Sequence, residues 1–119
     1  MGSKWRAIEA FTCRCCGQLP EQGLDQRVLD AYDSICYNFG FALEVNCMYR
    51  CPAHNAEVGG ASRSNHMYGL AMDIDATQVG VDALADYAES IGIPGVLRYY
   101  NSGFVHIDYR DVPYRDVMD

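Results

Sequence analysis

An α+β domain, with a mainly antiparallel sheet and helices packed on one side of it, is the fold class this sequence predicts. Three observations carry that expectation. Leu24, Val28, Tyr32, Ile35, Cys36 and Phe39 recur at helical spacing. Leu70 to Ala76 alternates: Leu70, Met72, Ile74 and Ala76 fall on one face, and Ala71, Asp73 and Asp75 on the other. Val96 to Tyr100 and Phe104 to Tyr109 read as two strands around Asn101-Ser102-Gly103, a hairpin loop. The order helix, strand, loop, strand, helix, two strands belongs to the α+β class. The chain has no internal repeat, low-complexity tract or linker, so residues 1–119 read as one domain.

The elements follow in order. Residues 7–12 are a short lead-in, and residues 13–23, rich in Cys, Gly and Pro, read as loop. The first helix runs from Leu24 to Phe39, with Gly40 as its stop. Phe41 to Tyr49 reads as a strand whose Phe41, Leu43, Val45 and Cys47 share one parity, and Pro52 prevents its continuation. Residues 53–63 hold Gly59-Gly60 and several small residues, which predicts a loop or a short helical turn. After the alternating strand, Val81 to Ile91 predicts a second helix that buries Leu84, Tyr87, Ala88 and Ile91 and ends at Gly92. The tail from Asp111, with Pro113 and several acids, is expected to lie over the surface.

Composition narrows the function classes. The chain has 119 residues, half of them hydrophobic, enough for a core without a disulfide staple. A net charge of −7 argues against a nucleic-acid partner, since phosphate binding needs a basic face. No run approaches the ~18 apolar residues of a membrane span. Glu9 and Arg14 interrupt any signal core near the start, so no export signal is expected. The expectation is a soluble monomer. There are six cysteines, and with no signal peptide the default is reduced thiols. Cys36 and Cys47, in apolar stretches, are expected as small core residues. Cys13, Cys15 and Cys16 cluster beside Gly17 and are candidates for a structural metal site with Cys51, or for a redox role.

The strongest chemical signal is His66, then Asp73 seven residues later, then His106. Asp73 and His106 sit on predicted strands. If those strands are neighbours, an imidazole and a carboxylate converge from rigid supports, joined by His66 from the preceding loop. Two nitrogens and one oxygen suit Zn2+, and three protein ligands leave a position for water. Gly69 lets the loop approach closely or adopt positive φ. Ala71, on the Asp73 face, is small enough to leave room for a metal.

The segment Ser64-x-His66-x-x-Gly69-x-Ala71-x-Asp73, joined to Phe104-Val105-His106-Ile107-Asp108, resembles the zinc D-Ala-D-Ala carboxypeptidases and related phage endolysin peptidases. That superfamily also includes the hedgehog amino-terminal domain. Upstream, Tyr49-Arg50-Cys51-Pro52-x-His54-Asn55-x-x-Val58-Gly59-Gly60, together with Phe11-x-Cys13 and Cys16-Gly17, resembles one small bacterial and phage branch. The similarity spans roughly residues 10–110. It implies that His66, Asp73 and His106 bind catalytic zinc, that Arg50 faces the site, and that Ser64 orients His66 or its loop. The implied substrate is a peptidoglycan stem peptide. Many members place an acid three residues before the last zinc histidine, or a histidine two before it; here those positions hold Gly103 and Phe104. Asp108, on the same strand face as His106, is the first substitute, either as general base or as a partner that steadies a zinc ligand. Asp75 and His54 follow. A zinc site without its base is known in the family as a binding-only form, so the alternative is a non-catalytic zinc module of a cell-wall or phage structure.

Overall fold

The computed structural model describes residues 2–13, 16–20, 22–57 and 65–119. Five strands form one sheet: β1 (Val45–Cys47), β2 (Ala71–Asp75), β3 (Gly95–Tyr99), β4 (Phe104–Asp108) and β5 (Tyr114–Val117), in the spatial order β1-β2-β4-β3-β5. The first four pair antiparallel, while β5 runs parallel to β3. Among the described residues three helices accompany them: α1 (Gln26–Phe39), α2 (Pro52–Glu57) and α3 (Val81–Ser90). Short 3-10 turns cover Ile8–Phe11 and Asn65–Tyr68. The α+β class and the mainly antiparallel sheet agree with the sequence reading. Among the described residues, no helix is long and apolar enough to cross a membrane.

Local chemistry sets the helix limits. Asp25 caps α1 by accepting from the Arg27 N–H at 2.9 Å, which places the start two residues after Leu24. Gly40, at φ +85°, ends the helix and returns its N–H to the Cys36 carbonyl at 2.8 Å. The α1 residues Val28, Leu29, Tyr32, Ile35 and Cys36 pack with Leu84, Ala85 and Ala88 of α3. Both sets meet Val45, Met72, Ile74, Val96, Val105 and Ile107 of the sheet, all essentially inaccessible. Each such side chain contributes roughly 1.5–3 kcal/mol on burial. Ile91, expected in the α3 stripe, is 40% exposed, because the helix ends at Ser90 and the chain turns away.

Two strands depart from expectation. The stretch Phe41 to Tyr49 yields only the three-residue β1, and its parity breaks within it. Val45 lies opposite Ile74, whereas Cys47 lies opposite Asp73, so the register shifts by one between them. This bulge keeps Val45 on the core face and turns Cys47 to the other face. Cys47 is therefore not the core residue expected; Cys36, fully buried, is one. The tail supplies the second departure. It forms β5, exposed along its whole length and held by backbone pairing to β3, with Tyr114 N–H donating to the Pro94 carbonyl at 2.8 Å. A strand exposed on both faces carries no alternation for a sequence reading to detect.

Candidate metal centre

The sheet face opposite the helical core carries one row of chemistry. Cys47, Asp73, His106 and Leu97 are successive cross-strand partners on β1, β2, β4 and β3. Directly opposed residues of an antiparallel pair project to the same face. Asp73 and His106 are such a pair, and Asp73 Oδ1 lies 2.9 Å from His106 Nδ1. His66 arrives from the 3-10 turn Asn65–Tyr68 and sets its Nε2 3.3 Å from the same Oδ1. The two imidazole rings meet edge to face at 5.1 Å. Gly69 steers this approach. It sits at φ +68°, and a Cβ there would come within 3.2 Å of Gly23 O, Leu24 Cα and Pro20 Cγ. The tight packing is thus against the loop ahead of α1 rather than against the sheet.

The outer nitrogen of each ring is already engaged. His66 Nδ1 lies 2.9 Å from the Met48 carbonyl, which can only accept, so this nitrogen carries the hydrogen. His106 Nε2 lies 2.7 Å from Asp108 Oδ2 and donates there. With those bonds made, the inner nitrogens His66 Nε2 and His106 Nδ1 turn lone pairs toward Asp73 Oδ1. A carboxylate oxygen between two lone pairs is tolerated only with a cation among them, either a proton or a metal. The titration behaviour follows from this. Burial works against a charged imidazole, yet hydrogen bonds that His66 makes to Asp73 and Cys47 outweigh it and push His66 up to about 10. For His106, burial is likewise outweighed, by Asp108 and Asp73, and its pKa is raised. Asp73 is held far below the usual carboxylate range, because the two imidazoles overcome its desolvation. Two imidazole nitrogens oriented through their distal N–H groups, plus one carboxylate oxygen, are the donor types that a divalent ion such as zinc takes, although the tightest donor group on this face is Cys47, His66 and Asp73, without His106.

Asp108 is the most constrained of the acids. It is fully inaccessible, and its pKa is lowered: desolvation opposes the charge, but Arg110 and His106 prevail. Arg110 grips it with two donors, Nε at 2.6 Å from Oδ1 and a second nitrogen on Oδ2. The small residues Ala71 and Gly95 flank it on β2 and β4's other neighbour β3. A Cβ on Gly95 would lie 1.9 Å from Asp108 Oδ1. The room left by Ala71 therefore lies beside this carboxylate.

The other expected residues are placed as follows. Arg50 donates its backbone N–H to the His66 carbonyl at 3.1 Å. Burial and then the Asp73 charge push the Tyr99 phenol up, while Arg50 pulls it down, so both charges are felt at Tyr99. Asp75 shares the Asp73 face, but its carboxylate accepts from the Thr77 hydroxyl at 2.7 Å at the exposed end of β2. His54 lies in α2, with its side chain outside the described residues, and Ser64 also lies outside them. Sequence reasoning missed Cys47, whose Sγ is 3.6 Å from His66 Nδ1, and also Gly95 and Arg110. Cys47, His66 and Asp73 all offer donor atoms within 4.8 Å of one another. The sulfur contact is nevertheless to the ring nitrogen that faces Met48, not to the one that faces Asp73.

Residues 8–108 match the family model described as Peptidase M15. The chain belongs to the peptidase M15 family. It is also 44% identical, over 55 residues, to the zinc D-Ala-D-Ala carboxypeptidase of Streptomyces albus G. That stretch is 46% of this chain and 22% of the relative, so the likeness covers a minor part of the larger protein.

Proposed function

We propose that this M15 family member is a zinc peptidase acting on peptidoglycan stem peptides, with His66, Asp73 and His106 as its metal ligands. The observation that carries the reading is the pair of inner imidazole nitrogens aimed at one Asp73 oxygen while their outer nitrogens are anchored. The name of the Streptomyces relative supports both the metal and the D-Ala-D-Ala substrate class. When bound, zinc supplies a Lewis acid and a water of lowered pKa.

The protein's own residues supply the rest. Met48 and Asp108 fix the rotation and tautomer of the two imidazoles. Arg50 meets the negative charge of a substrate carboxylate or of the developing oxyanion. A fixed cation is needed here, because the chain itself carries −7 and stem peptides end in a carboxylate. Both oxygens of Asp108 are taken by His106 and Arg110, so we assign it to positioning His106 rather than to moving a proton. The finer reading is D-Ala-D-Ala removal or cleavage of a stem-peptide bond by an endolysin-type enzyme, reaching the wall by phage-type release or on a particle.

The experiment is mass spectrometry of muropeptides after incubation of wall fragments with zinc-loaded protein. Peptide release that disappears in His66→Ala is expected. Full zinc occupancy without release from any wall type would leave the second reading, a non-catalytic zinc module, which the engaged state of Asp108 favours. Metal content no lower than wild type in a protein lacking both His66 and His106 would overturn the assigned ligands.

A further inference from the structure

A second cluster of metal-binding character lies away from the sheet row. Cys13, Cys16 and Cys51 bring their sulfurs within 4.8 Å of one another. Around zinc, with bonds of ~2.3 Å, three thiolates stand roughly 3.8 Å apart, so closure needs about an ångström of movement. Cys13-x-x-Cys16-Gly17 has the spacing of a metal knuckle, and the backbone follows suit. Gly17, at φ +69°, returns its N–H to the Cys13 carbonyl at 2.8 Å, and the Cys13 N–H reaches the Gln18 carbonyl at 2.9 Å. From the other side, the Cys51 N–H donates to Cys13 Sγ at 3.4 Å. A backbone donor directed at sulfur favours the thiolate over the thiol. None of the described cysteines forms a disulfide, and three sulfurs cannot all pair with one another. Cys13 is buried, Cys51 half-buried and Cys16 exposed, so an ion could enter from the Cys16 side.

We propose that Cys13, Cys16 and Cys51 form a second, structural zinc site that ties the segment after the first 3-10 turn to the Met48–Cys51 segment. The site has a mechanical purpose. Tyr49 donates its N–H to the Phe11 carbonyl at 3.2 Å, two residues before Cys13. The same Met48–Cys51 segment supplies the Met48 carbonyl and the Arg50 N–H that hold His66. An ion bridging Cys13, Cys16 and Cys51 therefore braces the backbone on which His66 rests.

The test is metal content and cobalt spectroscopy on the full chain, expressed and purified under reducing, anaerobic conditions. Wild type should hold two equivalents of metal. His66→Ala/His106→Ala should hold one and, with cobalt, retain the sulfur-to-metal charge-transfer band. Cys16→Ser removes an exposed donor with little loss of packing; it should hold one equivalent and lose that band. Cys51→Ser should behave as Cys16→Ser does. A single wild-type equivalent that disappears in the His66/His106 double variant, no metal in that variant, an undiminished band in Cys16→Ser, or a disulfide within the trio would each overturn the proposal. None of these readouts depends on peptidase activity, so the two assignments fail separately.

Discussion

Gly95→Ala is the sharpest perturbation the structure offers. Gly95 faces Asp108 across the β3–β4 pair, and its added Cβ would fall 1.9 Å from Oδ1, 2.4 Å from Cγ and 2.7 Å from Oδ2 of that carboxylate. The offending group is not a flexible tip. Asp108 has one rotatable bond before its carboxyl, lies in a five-residue strand and is wholly buried. To escape, it must release His106 Nε2, Arg110 or both. Breaking a buried charged pair costs roughly 3–5 kcal/mol. For a chain of this size that corresponds to a fall in Tm of roughly 12–20 °C, at about 4 °C per kcal/mol. His106 loses its anchor at the same time, which should weaken metal binding by ~10–100-fold. Thermal unfolding in chelator and zinc competition against a chromophoric chelator measure the two effects separately. The control is a double-mutant cycle with Asp108→Ala. Once the carboxylate is gone, the extra methyl has space, and Gly95→Ala should cost under about 1 kcal/mol. Equal costs in the two backgrounds, or unchanged zinc affinity in Gly95→Ala, would refute the idea that this glycine exists to house Asp108.

Three further outcomes are expected. Cys47→Ser should keep its full complement of metal at the His66 site, since the sulfur addresses His66 Nδ1 and not the inner nitrogens; loss of that metal would make Cys47 a ligand. Arg50→Ala should lower peptide release by ~10²–10³-fold with zinc content unchanged, and an unaltered rate would remove Arg50 from the reaction. For pH, His66 is raised from 6.5 to about 10, so in metal-stripped protein its charged pairing with Asp73 contributes stability that is complete below 6.5 and vanishes as pH rises through about 10. Zinc must displace that proton, so affinity should climb with pH, and calorimetry near about pH 8 in buffers of differing ionisation enthalpy should show net proton release. No release would contradict the pairing.

What the sequence could disclose, and what it could not, divides along physical lines. Alternation over Leu70–Ala76 and Phe104–Tyr109 was enough to set Asp73 and His106 on one face, and the β2–β4 register makes them direct partners. Helical spacing and the Gly40 stop bounded the end of α1, whereas its start, two residues after Leu24, is set by the Asp25 cap that spacing does not show. The bulge in β1 was hidden because it inserts one residue without changing residue types, and it alone turns Cys47 toward Asp73. Gly95 was unreadable for a related reason. Its value lies in the partner strand's buried acid, a long-range fact that a local pattern does not contain. Arg110 left a faint trace, a basic residue two positions beyond Asp108, but its pairing depends on that acid being sealed from water.

Charge balance links these features. Asp73 and Asp108 are held ionised in a site from which water is largely excluded, and Arg110 offsets only one of them. The remaining negative charge, flanked by two imidazoles, must recruit positive charge, and it does so by raising both histidines. One proton on either ring offsets that charge but spends the ring's inner lone pair. A divalent ion also offsets it and leaves both rings in their anchored tautomers. The three-cysteine cluster repeats the problem with sulfur. Desolvation and the neighbouring Cys13 and Cys51 push the Cys16 thiol up despite the backbone N–H of Gln18, the largest single influence, pulling it down. Both clusters take a member or a support from the five residues Cys47–Cys51. A substitution that loosens that segment should therefore disturb both at once, whereas Gly95→Ala should disturb only the one built on the sheet.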